Sequence, residues 1–329
     1  MRITEVESDE QLREFMTTPT EGLVEFARRL DGDFMALGVG GKMGSELVET
    51  LVRADRQAGV RRTVHAASRF SDPADDAEPT LRALGVVIHK GDLSDRTFLH
   101  ALPGAPNIIY MAGVKFGSSR DWRLTFHMNC IMPYLVGERF ERARIVAYSS
   151  GNPYPHCSVG DPGPAEQDAL DPQGVYAWSI VAREAAFQTA AERAPGQGLC
   201  FFRLAYAQHL AYGVLVDVAR MVWAGEPVSL AMPAVNLVSQ RDAIDVSLRA
   251  LGLCSRPPVV LNCAGPAVNV REIVEKLAAH MGRQPRFADR EGETVALCND
   301  RLAVRTFGPY RDGPDEMIEA VARWVMRGG

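Results

Sequence analysis

Lysine is scarce in this 329-residue chain: Lys42, Lys90, Lys115 and Lys276 are the only four among 36 basic residues. Any role that demands a lysine therefore has few candidates. The six cysteines (Cys130, Cys157, Cys200, Cys254, Cys263, Cys298) form no C-x-x-C pair, which excludes the usual zinc spacing and a disulfide framework. They read as core residues, and no metal is expected. No apolar run approaches the roughly 18 residues of a membrane span, and the N-terminus lacks a charged-then-apolar leader. The chain is expected in the cytoplasm, without a membrane partner. A net charge of -5 and a pI near 5.9 leave no basic footprint for nucleic acid, so the expected partners are small molecules or proteins. An apolar content of 47% over this length supports a main domain with a smaller second lobe.

The stretch Phe34-Met-Ala-Leu-Gly-Val-Gly-Gly-Lys-Met-Gly-Ser-Glu-Leu-Val48 passes from a short apolar run into spaced glycines and then into an amphipathic segment. Gly38, Gly41 and Gly44, with Lys42 and Met43 between them, give G-x-x-G-x-x-G. That spacing lets the chain turn sharply off a strand, approach a pyrophosphate closely and pack the next helix on the sheet. An anion would sit at the helix N-terminus, where unpaired N–H groups and the helix dipole favour negative charge. An ordinary βα turn uses the same glycines, so the following strand ends decide.

Around that turn, short β-type runs alternate with helical segments, as in a parallel sheet covered on both faces. The runs fall at 34–37, 62–67, 86–89, 107–111, 144–148, 199–204 and 259–262. They predict an α/β, doubly wound Rossmann sheet of about seven strands. Residues 1–32 read as a helical appendage, with a helix start at Thr18, Pro19 and Glu21 and a stop at Asp31-Gly32. Residues 33–204, plus a strand at 258–263, form the dinucleotide-binding domain. Residues 205–257 and 264–329 supply the substrate lobe, with helices at 214–224, 241–253, 270–281 and 314–326.

The second run ends at Ser68-Arg69, where dinucleotide folds often carry an acid for the ribose hydroxyls. Its replacement by arginine favours NADP over NAD, because the guanidinium can pair with a 2′-phosphate; it can also stack on adenine or simply face solvent. Asp92 and Leu93 follow the third run, where the carboxylate could accept from the adenine amino group or cap the next helix. Met111, Ala112 and Gly113 follow the fourth and leave room for a dinucleotide against the sheet edge.

After the fifth run stands Tyr148-Ser-Ser-Gly-Asn-Pro-Tyr154, and later Asp171-Pro-Gln-Gly-Val-Tyr176-Ala-Trp-Ser-Ile180. With the glycine turn, these residues resemble the extended short-chain dehydrogenase/reductase family of nucleotide-sugar epimerases and dehydratases, from about residue 33 to the C-terminus. The resemblance implies an NAD(P)-dependent oxidoreductase or epimerase acting at a hydroxyl or keto carbon of a sugar-like small molecule. It implies that Ser150 orients the substrate oxygen and Tyr176 exchanges its proton. Glu166, Pro172, Arg203 and Tyr206 resemble other positions of the pattern, and Asn129 its structural asparagine. By the same resemblance, Asn152, His209, Gln240 and Arg241 read the substrate, and the helices near 124–140 and 175–194 pair in a homodimer.

The departure lies four residues after Tyr176, where the family's Y-x-x-x-K motif has lysine and this chain has Ile180. Positions i and i+4 share a helix face, so a lysine there places a cation near the phenol. Bringing a tyrosine pKa from about 10 to about 7 takes about 4 kcal/mol of differential stabilisation, and isoleucine supplies no charge. Lys115 and His156 are the candidate substitutes; Arg183, two turns beyond Tyr176, would have to fold back. A protein that keeps the nucleotide site as a sensor or scaffold, with reduced or lost catalysis, is the alternative.

Overall fold

The computed structural model describes residues 2–71, 76–115 and 117–329. Seven strands form one sheet: β1 (Phe34–Leu37), β2 (Val64–Ser68), β3 (Val87–Lys90), β4 (Asn107–Tyr110), β5 (Arg144–Ser150), β6 (Gly198–Leu204) and β7 (Val259–Cys263). They lie in the spatial order β7-β6-β5-β4-β1-β2-β3, and every neighbouring pair is parallel. This is a doubly wound α/β sheet, and its order reverses between β1 and β4, where such folds place their ligand crevice. Both strands at that point are buried along their whole length, which is why their sequences read as unbroken apolar runs.

The helices are α1 (Asp9–Thr17), α2 (Glu21–Arg29), α3 (Gly44–Ala58), α4 (Ala77–Ala83), α5 (Arg96–Ala101), α6 (Trp122–Phe126), α7 (Met132–Arg139), α8 (Gly174–Glu192), α9 (Val214–Ala224), α10 (Gln240–Arg249), α11 (Val270–Met281), α12 (Arg301–Phe307) and α13 (Pro314–Met326). No helix among the described residues is long and apolar enough to cross a membrane. A π-helical turn, His127–Ile131, joins α6 to α7. One face of the sheet packs on Leu47, Leu51, Ile244 and Leu248 of α3 and α10. The other packs on Leu99, Leu135, Val136 and Phe187 of α5, α7 and α8.

A third core, in the second lobe, joins Leu215, Ile273, Leu277, Ile318 and Val321 of α9, α11 and α13. Antiparallel pairing of Ala234–Asn236 with Ala267–Asn269, and of Cys157–Ser158 with Thr294–Val295, ties its loops together. All six cysteines are free; Cys200, Cys263 and Cys298 are buried and the others half-buried.

The N-terminal residues differ from an outer appendage. Ser8 caps α1 by accepting from Gln11 N, and Thr20 caps α2 through Leu23 N. Leu23, Val24, Ala27 and Leu30 enter the sheet's core, while Ile3, Val6, Leu12, Phe15 and Met16 enter that of the second lobe. Helix α1 carries its signal in the Ser8 cap, its acidic first turn and the Leu12, Phe15 and Met16 spacing, over nine residues that are otherwise polar.

Candidate functional site

The glycine turn leaves β1 with Gly38 N bonded to Ala67 O at 2.8 Å, and each glycine there has its own reason. Gly38 has φ +91°, and a Cβ on it would lie 2.5 Å from the Ala112 nitrogen. Gly44 opens α3, and a Cβ there would lie 2.4 Å from Val39 Cα. Those two are needed by the protein itself. Around an added Cβ on Gly41 no atom of the described residues comes within 4 Å, so no internal packing demands glycine there. It leaves open the space where a phosphate would approach the start of α3.

A groove of about 180 Å³ runs from this turn along the carboxyl ends of the strands. Gly38, Gly41, Ser68, Arg69, Asp92, Leu93, Met111, Ala112 and Gly113 line it. The structure thus brings together residues from four strand ends. Gly40, Met128 and Met132 line it too and were not singled out in the sequence; Met128 and Met132 arrive through the π-helical turn. Ser68 Oγ accepts from Gly40 N at 3.1 Å and so braces the turn. Asp92 accepts from Ser94 N and Oγ at 2.9 and 2.8 Å; that backbone bond, with the Arg69 charge nearby, holds its carboxyl below the usual range. Lys42 and Met43 lie outside the lining. Lys42 Nζ stands 4.6 Å over the Tyr212 ring, and Met43 packs half-buried against the core at the head of α3.

Beside the groove lies a second cavity of about 290 Å³, at the end of β5, lined by Lys115, Ser150, Asn152 and His156 among others. Ser150 Oγ accepts from Asn152 N at 3.1 Å. Tyr176, in the first turns of α8, stands near enough to Ser150 for the serine hydroxyl to bear on its phenol. Burial pushes the Tyr176 phenol up; the Arg183 charge and the Ser150 hydrogen bond pull it down. Lys115 Nζ lies 5.9 Å from the Tyr176 ring centroid, and desolvation, then Lys42, pushes its ammonium down. His156 is exposed at the cavity rim.

Ile180 is 1% exposed. A fully buried isoleucine contributes about 2 kcal/mol by leaving water, so apolar packing occupies the position where the motif expects a cation. The buried cation on α8 is Arg183 instead. Its Nη1 donates to Tyr148 O at 2.6 Å and its Nη2 to Asn129 Oδ1 at 2.7 Å. A Cβ on Gly113 would meet that Nη2 at 1.9 Å, so the guanidinium lies directly under the groove floor. Asn129 sits in the π-helical turn, where it also accepts from Val114 N and donates to Val114 O and Ser179 Oγ. Such turns reshape a helix locally and frequently mark functional sites.

Beneath the cavity, Glu184 pairs with Arg203 at 2.7 Å, both buried. Ser149 Oγ donates to Glu184, Arg203 Nη1 donates to Tyr154 OH at 2.6 Å, and Tyr154 OH donates to Asn262 Oδ1. Glu166 accepts from Asn262 N at 3.0 Å. Glu184 and Asn262 were not singled out in the sequence. The available signal was a glutamate within a helix whose sequence is apolar almost all round.

Three residues expected to read a ligand have protein partners instead. His209 Nε2 lies 3.1 Å from Glu46 Oε1, and Gln240 Nε2 donates to Glu46 Oε2 at 2.5 Å. Tyr212 OH bonds both Gln240 Oε1 and Lys42 O. This cluster ties the first turn of α3 to the second lobe. Arg241 is paired with Asp312 at 2.6 Å, and its guanidinium stacks 3.7 Å from the Phe15 ring centroid, so it faces the N-terminal segment.

No protein-family model and no curated protein matches the sequence. Solved structures do match in shape. MoeE5 in complex with UDP-glucose and NAD is 21% identical, with a TM-score of 0.69 over 90% of this chain and 99% of that one. A UDP-glucose 4-epimerase from Stenotrophomonas maltophila, with bound NAD and formylated UDP-arabinopyranose, is 16% identical, with a TM-score of 0.72 over 91% and 100%. The UDP-glucose 4-epimerase of Thermus thermophilus, in complex with NAD, is 18% identical, with a TM-score of 0.71 over 90% and 99%. Across nearly its whole length, this chain has the α/β Rossmann fold with a second lobe that these structures share.

Proposed function

We propose that this protein is an NAD(P)-dependent oxidoreductase or epimerase acting at a hydroxyl or keto carbon of a sugar-like or related small molecule. The observation that carries this reading is the grouping of Ser150 and Lys115 on the wall of the second cavity with Tyr176, whose ring centroid lies 5.9 Å from Lys115 Nζ and whose phenol the Ser150 hydroxyl helps pull down. A protein kept only as a sensor or scaffold has no use for that grouping, which disfavours the alternative. Tyr176 takes or returns the proton of the substrate hydroxyl, and Ser150 holds the substrate oxygen. Arg183, and Lys115 from the cavity side, supply the positive charge that Ile180 does not; His156 stands further out at the rim.

The groove fits a nicotinamide dinucleotide, since it offers an open glycine beside a helix N-terminus and a floor of small residues. The turn's N–H groups would hold the pyrophosphate and Asp92 the adenine end. Bound there, the cofactor supplies the hydride acceptor. The neighbouring structures carry NAD. Arg69, exposed at the end of β2 with no acid beside it in sequence, supports NADP as the preferred form in this chain.

The test is to incubate the purified protein with NADP or NAD and a panel of hydroxylated substrates, following nicotinamide absorbance together with product analysis. Saturable NADPH or NADH binding with conversion of one substrate class is expected. Absence of both binding and conversion overturns the reading.

A homodimer belongs to the same proposal. Trp122 (56% exposed), Leu124 (48%), Ile131 (49%) and Trp178 (55%) put an apolar face on α6, the π-helical turn and α8, elements that pack on one another. Apolar surface of this kind marks an interaction site, and a second copy would cover it with the same face. Light scattering should give twice the chain mass for wild type and a monomer for Trp178→Glu.

A further inference from the structure

We infer that the second lobe holds an apolar subsite for the part of the substrate beyond the reacting carbon, and that this part is a hydrocarbon group of aryl or branched-alkyl size rather than a nucleoside diphosphate. The inference rests on the functional reading above and narrows its substrate class.

A cavity of about 220 Å³ lies between α9 and α11. Leu215 and Val218 of α9, Val235, Leu237 and Ile273 form much of its wall. Among the described residues, no charged side chain lines it. Its serine, Ser229, is already committed: the hydroxyl donates to Asp289 Oδ2 at 2.5 Å and accepts from Ala231 N at 3.2 Å. An enclosed apolar cavity of about 150 Å³ takes up benzene, so this more open one has room for a somewhat larger hydrocarbon group.

Two contacts join it to the cavity at Ser150. Tyr206 lines both, and Met232 of the apolar wall accepts a hydrogen bond through Sδ from Ala296 N, on the wall of the other, at 3.4 Å. Tyr206 has φ +41° and is 43% exposed. A bulky side chain rarely adopts that backbone conformation, and strain of this sort gathers at ligand sites. A substrate with its hydroxyl at Ser150 therefore extends past Tyr206 into hydrocarbon surroundings.

A diphosphate on that path would meet no cation of the described residues beyond the reacting end. Among the residues lining the two cavities only Lys115 and His156 carry a basic group, and both belong to the Ser150 cavity. Moving phosphate charge into the apolar wall without a counter-charge is strongly unfavourable. This separates the chain from its structural neighbours, whose complexes hold UDP-sugars.

The experiment measures binding of secondary alcohols lengthened one methylene at a time, and of UDP and UDP-glucose, to the full-length protein with and without NADPH. Affinity for the alcohols should rise about fourfold per methylene until the cavity fills, with UDP-glucose unable to compete at millimolar concentration. Val218→Asp should flatten the series and Val218→Ala should reduce its slope, NADPH binding remaining as in wild type and reporting an intact fold. A flat series in the wild-type protein, or UDP-glucose binding more tightly than every alcohol tested, overturns the inference. Failure of both NADPH and NADH to bind sinks the functional reading instead, while the nucleotide-free series still decides the subsite.

Discussion

The groove beside β1 owes its space to side chains that are absent, whereas the cavity beside β5 rests on charged side chains buried and hydrogen-bonded beneath it. At Gly38, Gly44 and Gly113 a Cβ would strike neighbouring atoms within 2.5 Å, so the groove is drawn in backbone. Beneath the cavity, Glu184 and Arg203 are buried and bonded to each other, and the buried Arg183 on the same helix donates to Tyr148 O and Asn129 Oδ1. A backbone-built site tolerates change at every position where nothing approaches. A site built on buried charges fails when one partner is removed, because the others keep their desolvation cost.

The largest effect should come from the charge-built side. Tyr176→Phe is expected to lower turnover by about 10²–10⁴-fold, the usual worth of a positioned proton donor, with cofactor binding retained. Arg183→Met should move the alkaline limb of the pH–rate profile upward, since the Arg183 charge holds the phenol down. It should also destabilise the fold by about 1–3 kcal/mol through the stranded Tyr148 and Asn129 acceptors. An unmoved limb in a folded variant would assign the cation to Lys115.

The backbone-built side should split between two glycines. Gly38→Ala meets the Ala112 backbone at a positive φ and is expected to cost about 2–4 kcal/mol of stability in a denaturant titration. Gly41→Ala meets no atom of the described residues, so it should unfold like wild type while binding NADPH about tenfold more weakly, which is about 1.4 kcal/mol. Equal stability losses in the two would remove the distinction. The most selective effect should come from Arg69→Ala, which is expected to weaken NADPH by about tenfold through a lost charge-assisted hydrogen bond and to leave NADH unchanged.

The same contrast explains what was legible in the sequence. Gly38, Gly41 and Gly44 announce themselves because a sharp turn and close approach restrict the residue type. The inner strands do so because burial on both faces writes continuous apolar runs, as in β1 and β4; β1 ends at the expected residue, and Arg144–Ser150 runs only two residues further than expected. Arg183 was harder, because its reach depends on a π-helical turn that sets Asn129 against it, and sequence spacing assumes a regular helix. His209, Gln240 and Arg241 looked available to a ligand because a sequence shows polarity but not partners; Glu46 and Asp312 supply those from 163 and 71 residues away.

The N-terminal residues have a bearing on how the molecule comes together. The second lobe's core needs Ile3 through Met16 as well as Met317 through Val325, and Arg327 reaches back to Val6 O and Glu7. During synthesis, all seven sheet strands precede α13, so the first core can close on the emerging chain while the apolar faces of α1, α9 and α11 still wait for their last neighbour. Contacts of such long sequence separation form late and leave those faces exposed to aggregation in the interval. The second lobe's core is thus the one that closes only when the last helix is in place.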